Sequence, residues 1–228
     1  TGSTISTKGD DRDLIINLVN NGRIDMATVY VANLAKINKD LYVWGMPFLF
    51  QDADEATSAL DGAIGQSLLN EVSKSSMVKP LAYTFSGGFR LMPSLRPLEN
   101  IESMVNLKVR CADMTPVGVD TFRAVGADPI QLSVEDVHQA MSTGLIEAGE
   151  TSYPRFFLLG HDKSCKVINH TQHNLLLTSI VTNNQIWNNF DDKTKSIFAR
   201  AAMNAAKMER ADSIASIKQV QDRAASMN

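Results

Sequence analysis

The chain is poor in cysteine: Cys111 and Cys165 are the only two in 228 residues, too few for a disulfide framework or a four-cysteine zinc site. Long apolar runs are missing as well. The longest, Leu41 to Phe50 and Asn174 to Val181, fall far short of the roughly 20 residues that cross a bilayer. Neither sign of charge dominates. With 22 Lys+Arg against 25 Asp+Glu and a formal charge of −3, there is no basic field to release counterions from nucleic acid or to hold anionic lipid. The chain opens without a basic segment followed by an apolar one, so no signal peptide is expected within it. The motifs of common catalysts are missing too: there is no GxSxG elbow, Walker loop, HExxH or CxxC pair. Gly87-Gly88 and Gly118 stand apart from any three-glycine dinucleotide fingerprint and read as turn formers. What remains is an ordinary globular composition, 44% hydrophobic and 21% charged. A chain of this length buries roughly 70% of its unfolded surface, enough for one large core or two small ones.

Helix and strand signals alternate along the sequence. Leu14, Ile15, Leu18 and Val19 recur at helical spacing until Asn20-Asn21-Gly22 stops them. Ile24 to Val31 reads as a short buried strand, Pro47 to Phe50 as an apolar loop, and Asp52 to Ser73 as helical through Ala56, Leu60, Ile64, Leu68 and Leu69. Leu81 to Met92 is strand-like but broken by Gly87-Gly88. A short helix near Ile101 to Val105, a strand at Leu107 to Ala112, a helix through Val119, Phe122 and Val125, and a strand at Pro129 to Leu132 follow. Ser133 with Glu135 and Asp136 spells a helix start ahead of Val137, Ala140 and Met141. Such alternation predicts an α/β protein with mixed sheets covered by helices. From about Asp191 the chain contains neither Gly nor Pro, and Ile197, Ala201, Ala205, Met208, Ala211 and Ala215 fall on one stripe. A helix of about 35 residues would reach roughly 50 Å, longer than one small domain. Its alanine-rich stripe suits close packing across a two-lobed surface better than a coiled coil, which needs larger residues at its seam.

Two groups of residues suggest chemistry. His161, Cys165, His170 and His173 are metal-like in type, but their spacing and the lack of an acidic shell argue against a site. Arg90 follows Gly88-Phe89, and Arg110 sits inside Leu107-Lys108-Val109-Arg110-Cys111, where a strand should be at least half buried. A buried guanidinium needs an anion, because leaving it unpaired costs several kcal/mol. Either an internal acid such as Glu150 or Asp113 supplies it, or the planar fork clamps the carboxylate of a ligand through two parallel hydrogen bonds.

Several segments in collinear order then resemble one family, the extracytoplasmic solute-binding proteins of TRAP transporters. They are Leu18 to Ala27 with its Gly22-Arg23-Ile24-Asp25-Met26, Met46 to Phe50 followed by Asp61-Gly62, Gly88-Phe89-Arg90, and Leu107 to Arg110. Phe122 to Pro129, Glu135-Asp136-Val137 through Thr143-Gly144, and finally His173, Asn183 and Trp187 complete the series. The resemblance implies a two-lobed periplasmic binding protein-like fold, joined by crossing strands and bridged by one long helix. Lobe I would comprise 1–87 and 178–216, lobe II 88–177 and 217–228, the chain being short at both ends relative to the family. It implies no enzyme, cofactor or metal, but a periplasmic protein that closes on a small organic acid and passes it to membrane permease subunits. By position, Arg110 resembles the family's main carboxylate-binding arginine and Arg90 the auxiliary one. Glu150-Thr151 stands at the usual Glu-Asn, which puts Thr151 where an asparagine meets the same carboxylate. Val134 stands where sialic-acid binders stack a phenylalanine, Leu175 where many relatives carry an aromatic, and Ser94 in place of a frequent Asn. Such a cleft would be aliphatic and would favour a less hydroxylated acid. A sensor domain on the same clamshell, or an acid-handling enzyme using His138 and Glu135, are the alternatives.

Overall fold

The computed structural model describes residues 12–111 and 115–226. Its first half builds α1 (Arg12–Asn20), β1 (Met26–Tyr30), α2 (Val31–Leu34), α3 (Ala53–Asp61), α4 (Ala63–Ser75) and the long strand β2 (Val78–Ser94). Next come β3 (Lys108–Arg110), α5 (Pro116–Ala124), β4 (Asp128–Ile130), α6 (Val137–Ser142), β5 (Ala148–Gly149), β6 (Thr151–Ser152) and α7 (Tyr153–Leu158). The chain ends with β7 (Val167–Asn169), β8 (Leu175–Asn183), α8 (Asn184–Asn189) and α9 (Asp192–Ser226). Local chemistry sets several boundaries. Gly22 takes φ +68° after α1, Asp52 accepts the Asp54 and Glu55 N–H groups ahead of α3, and Thr115 with Pro116 opens α5. The helical signal expected to run from Asp52 to Ser73 is two helices, because the chain is extended at Gly62.

Two lobes share one hydrogen-bonded sheet of order β1-β8-β2-β5-β3-β4. In the first lobe β8 lies between β1 and the first half of β2, antiparallel to both. Val19, Val29, Leu34, Leu60, Leu69, Val72, Tyr83 and Val181 fill the core beneath these strands. In the second lobe β3 runs parallel to β4 and β5, while the far end of β2 pairs antiparallel with β5, β6 and β7. Two smaller clusters cover this half, one around Leu107, Val109 and Phe122 and one around Val137, Met141 and Ile146.

The break expected in the strand at Gly87-Gly88 does not occur: β2 runs on for 17 residues and only its register against β8 shifts, between Phe85 and Phe89. The glycines adopt φ +90° and +82°, open to glycine at no steric cost. Neighbouring side chains meet the polar groups that the shift exposes. Glu209 accepts the Phe85 N–H at 2.7 Å, Ser213 accepts that of Gly87 at 3.2 Å, and Ser152 donates to the Ser86 carbonyl at 2.8 Å.

Glu209 and Ser213 belong to α9, whose 35 residues match the expected length. Its buried face is not the expected stripe. Ile197, Ala201, Ala205, Met208, Ala211 and Ala215 all face outward, whereas Ala202, Ala206 and Arg210, each one or two places further on, are buried. Arg210 makes a two-pronged bond to Asp61 at the end of α3, at 3.0 and 2.8 Å. The helix also packs along β2 and α7 and so touches both lobes.

A Cβ at Gly87 would run into the Ser152 side chain on a backbone with positive φ. Gly87→Ala is therefore expected to lower stability by about 2 kcal/mol. Urea unfolding followed by circular dichroism checks this, with Gly144→Ala, which meets nothing within 4 Å, as the comparison for positive φ alone.

Candidate functional site

Three parallel strands end side by side, β3 at Arg110, β4 at Ile130 and β5 at Gly149. Ligands of α/β sheets collect beyond such carboxyl ends, and here those ends lead into Arg110, Leu132 to Val134, and Glu150-Thr151. Arg110 is 3% exposed and donates from Nε to the Leu132 carbonyl at 3.2 Å. Residues 148–152 thread between its strand and β2, where Arg90 pairs in register with Ser152 and Leu91 with Thr151. The two arginines thus flank a single segment.

Arg90 is 2% exposed, and its Nη1 lies 3.1 Å from Glu150 Oε2. The same oxygen meets His173 Nε2 at 3.1 Å. Thr171 Oγ1 is 2.8 Å from the other ring nitrogen of His173, and Phe122 packs against the ring edge-on at 5.9 Å. Glu150 is thus an internal partner of Arg90, as one of the two sequence readings had it. Asp113, the other internal acid considered, lies outside the described residues.

Beside this cluster the lobes meet around a cavity of about 30 Å³, lined by Tyr30, Leu41, Tyr42 and Trp44 from the first lobe and by Arg90, Thr115, Asn174 and Leu175. That is room for a water rather than for an organic acid. The lobes are drawn together here. Asn174 Nδ2 donates to the Gly45 carbonyl at 3.0 Å, and the Phe48 N–H donates to that of His173 at 2.9 Å. Phe48 pays for this contact with φ +57°, while its ring is 70% exposed. Behind the lining, Trp44 Nε1 donates to the Tyr83 hydroxyl, which donates onward to the Gly65 carbonyl, both at 3.1 Å. Burial pushes the Tyr83 phenol well above its ordinary value, so it stays protonated to donate.

Of the residues chosen from sequence, Arg90 and Leu175 share the cavity lining, and Arg90 and Glu150 form the ion pair. Thr151 is buried at 4% exposure on β6. Val134 is half-buried and opens a 3-10 helix, Val134–Asp136. Arg110, Thr151 and Val134 are not part of that cavity's lining but stand at the strand ends. The metal-like group is dispersed. His170 bonds the Tyr153 hydroxyl, His173 bonds Glu150, and the Cys165 thiol is pushed up to about 11 by burial. Among the described residues no cluster of His, Cys, Asp and Glu is arranged to hold a metal.

The sequence reading set His161 aside once a metal site was argued against. Its ring is 1% exposed, edge-on to Phe156 at 6.5 Å, and within electrostatic range of Arg110, Arg155 and Asp162. The Val134 carbonyl is close enough to stabilise a proton on it, yet neither ring nitrogen makes a well-formed hydrogen bond. Burial first, then the charge of Arg110, pushes the ring down to about 4. A histidine ten residues after Thr151, closely preceded by Phe156, Phe157 and Leu158, was the available signal.

Glu150→Gln removes the charge facing a buried guanidinium and is expected to cost about 3 kcal/mol, measured by urea unfolding at neutral pH. For His161 the unfolded chain takes up a proton before the folded one does as pH falls from 6.5 to about 4. Stability should therefore drop over that window by up to roughly 3 kcal/mol. Urea midpoints from pH 7 to 4.5 should fall less steeply in His161→Phe than in the parent.

Comparison with known proteins places this geometry in a group. Residues 4–226 match the model of bacterial extracellular solute-binding protein, family 7. A solute-binding protein of Chromohalobacter salexigens is 25% identical over 203 residues, which are 89% of this chain and 60% of that protein. A TRAP periplasmic solute binding protein of Pseudomonas putida F1, solved with bound D-glucuronate, superposes with a TM-score of 0.84 at 26% identity, covering 92% of this chain and 68% of the other. One from Haemophilus influenzae, solved with L-gulonate, gives 0.86 at 25% identity, covering 94% and 69%. The chain spans about 60% of the length of several curated relatives that it matches.

Proposed function

The chain belongs to the bacterial extracellular solute-binding protein family 7, and from that premise we propose that it binds a small organic acid between its lobes and delivers it to a TRAP-type membrane permease. The observation that carries this reading is the buried guanidinium of Arg110 at the end of β3, beside the Arg90–Glu150 pair. A carboxylate arriving at Arg110 would receive charge-assisted bonds in a site from which water has been squeezed. Arg90, held by Glu150, adds positive potential, and Thr151 can donate one hydroxyl bond where a longer amide would have donated two. Val134 and Leu175 would wall the hydrocarbon part. The acid has no bond to break; it is only held.

Closure follows from differential affinity. The acid stabilises the closed arrangement by whatever contacts it makes with both lobes at once. The shift in β2 at Ser86 to Gly88 is a natural pivot, and it supports a division of lobes at 87/88 with the return along β8 near 178. The closed face, shared between lobes, is then what a permease reads. Transport energy would come from that permease, and the protein would work in the periplasm. Among the described residues no helix is long and apolar enough to cross a membrane.

Val134 and Leu175 alone lean towards an aliphatic acid. Tyr30, Tyr42 and Asn174 around the cavity, together with the sugar acids held by the two relatives, favour a hydroxylated one. D-Glucuronate and L-gulonate are the first ligands to try, with succinate as the aliphatic comparison. Arg110→Ala should weaken the acid that binds by about 100-fold or more while the far-ultraviolet spectrum stays the same. Titration calorimetry on both proteins checks it, and unchanged affinity would remove Arg110 from the site.

A further inference from the structure

We infer that the hydrogen bond from Phe48 to His173 is a strained clasp between the lobes: it holds them together only by forcing two residues into unfavourable backbone conformations, and so it favours release of what the cleft holds. The inference rests on the reading that the two lobes close on an acid.

Among the described residues three other than glycine adopt positive φ: Phe48 at +57°, Asn106 at +60° and Gln172 at +48°. Asn106 is ordinary, because asparagine visits the left-handed region far more readily than most residues. The other two are not, and they stand at the two ends of one bond. Phe48 donates its N–H to the His173 carbonyl at 2.9 Å, and Gln172 immediately precedes His173. Packing explains neither conformation. The Phe48 ring is 70% exposed and Gln172 is exposed as well.

Such conformations persist only where the surrounding structure imposes them, and here the chain is fixed on both sides. The Gly45 carbonyl, at the end of the 3-10 helix Lys39–Gly45, accepts from Asn174 Nδ2 at 3.0 Å. Across the seam the His173 ring is bonded to Glu150 and Thr171, and the Asn174 carbonyl accepts the Arg90 N–H at 2.7 Å. The strain falls on the two residues between these fixed points.

Its direction follows. When the lobes part, water replaces His173 as the acceptor of the Phe48 N–H, and both residues can return to negative φ. Opening thus relaxes a strain that closure must restore, and the apparent affinity for an acid is reduced by the fraction of molecules in the clasped form. The clasp stays shut while the acid's contacts with both lobes outweigh the strain, and it yields once they are lost.

Glycine adopts positive φ without strain, so Gln172→Gly should relax the clasp and keep its bond. Amide hydrogen exchange, read by NMR on the protein without added ligand, reports how often the Phe48 N–H is exposed. Its protection should rise about fivefold in Gln172→Gly and stay unchanged in Asn106→Gly. By titration calorimetry Phe48→Gly should bind D-glucuronate or L-gulonate, whichever the parent binds, up to about fivefold tighter. Phe48→Ala, which removes the ring but keeps the Cβ, should not tighten binding. Unchanged or reduced Phe48 protection in Gln172→Gly overturns the inference, and so does equal tightening in Phe48→Ala and Phe48→Gly. If Phe48→Gly does not fold, Gln172→Gly, altered only at an exposed loop residue, carries both measurements. If neither acid binds the parent, the proposed function loses its support, while the exchange experiment, which needs no ligand, still decides the clasp.

Discussion

Two guanidinium groups buried within a few residues of the same short segment are the constraint around which this protein is arranged. A charged fork can be taken out of water only where fixed oxygens meet it. Arg90 has Glu150 and Arg110 has the Leu132 carbonyl, and both depend on the chain at 148–152 passing between β2 and β3. That passage requires β2 to continue from one lobe into the other, which in turn requires the positive φ of Gly87 and Gly88 and the side chains that meet their neighbours' polar groups. The electrostatics of the site and the topology of the sheet are therefore one problem. His173 joins them physically: it touches Glu150 through its ring and Phe48 of the opposite lobe through its carbonyl.

Much of the fold was legible because its signals are local. The stop at Asn20-Asn21-Gly22 and the tail without Gly or Pro act within a turn or two of themselves, and the corresponding helices lie where expected. The face of the last helix was not legible. Ala201-Ala202 and Ala205-Ala206 place identical residues in adjacent rows, so hydrophobicity could not say which row is buried; Arg210, an unexpected residue for a core, settles it through Asp61 some 149 positions away. The unbroken β2 was missed for a similar reason. Gly-Gly normally ends a strand, and the groups that rescue it, Ser152, Glu209 and Ser213, are distant in sequence.

The site divides in the same way. The two arginines stood out because charge inside an apolar run is costly, and that cost can be read from a few neighbours. Their partners could not be read, since Glu150 and Asp113 served equally well on paper. His161 received no role because its residue type suggested only metal ligation, which its spacing argued against, whereas its actual surroundings are cations, aromatic rings and a carbonyl gathered from separate elements. Chemistry that depends on what is adjacent in space stays hidden until the strands have been ordered.

The long terminal helix carries a further implication. With neither glycine nor proline in it, α9 has no place to fold upon itself, so it acts as a stiff beam laid across the molecule. The middle of that beam is bolted to α3 by Arg210, and on either side of it Glu209 and Ser213 grip the backbone where β2 shifts register at Gly87-Gly88. Any swing of the second lobe must therefore turn about this anchorage or slide along the beam beyond Ser213, which confines the motion to a narrow arc instead of a general loosening.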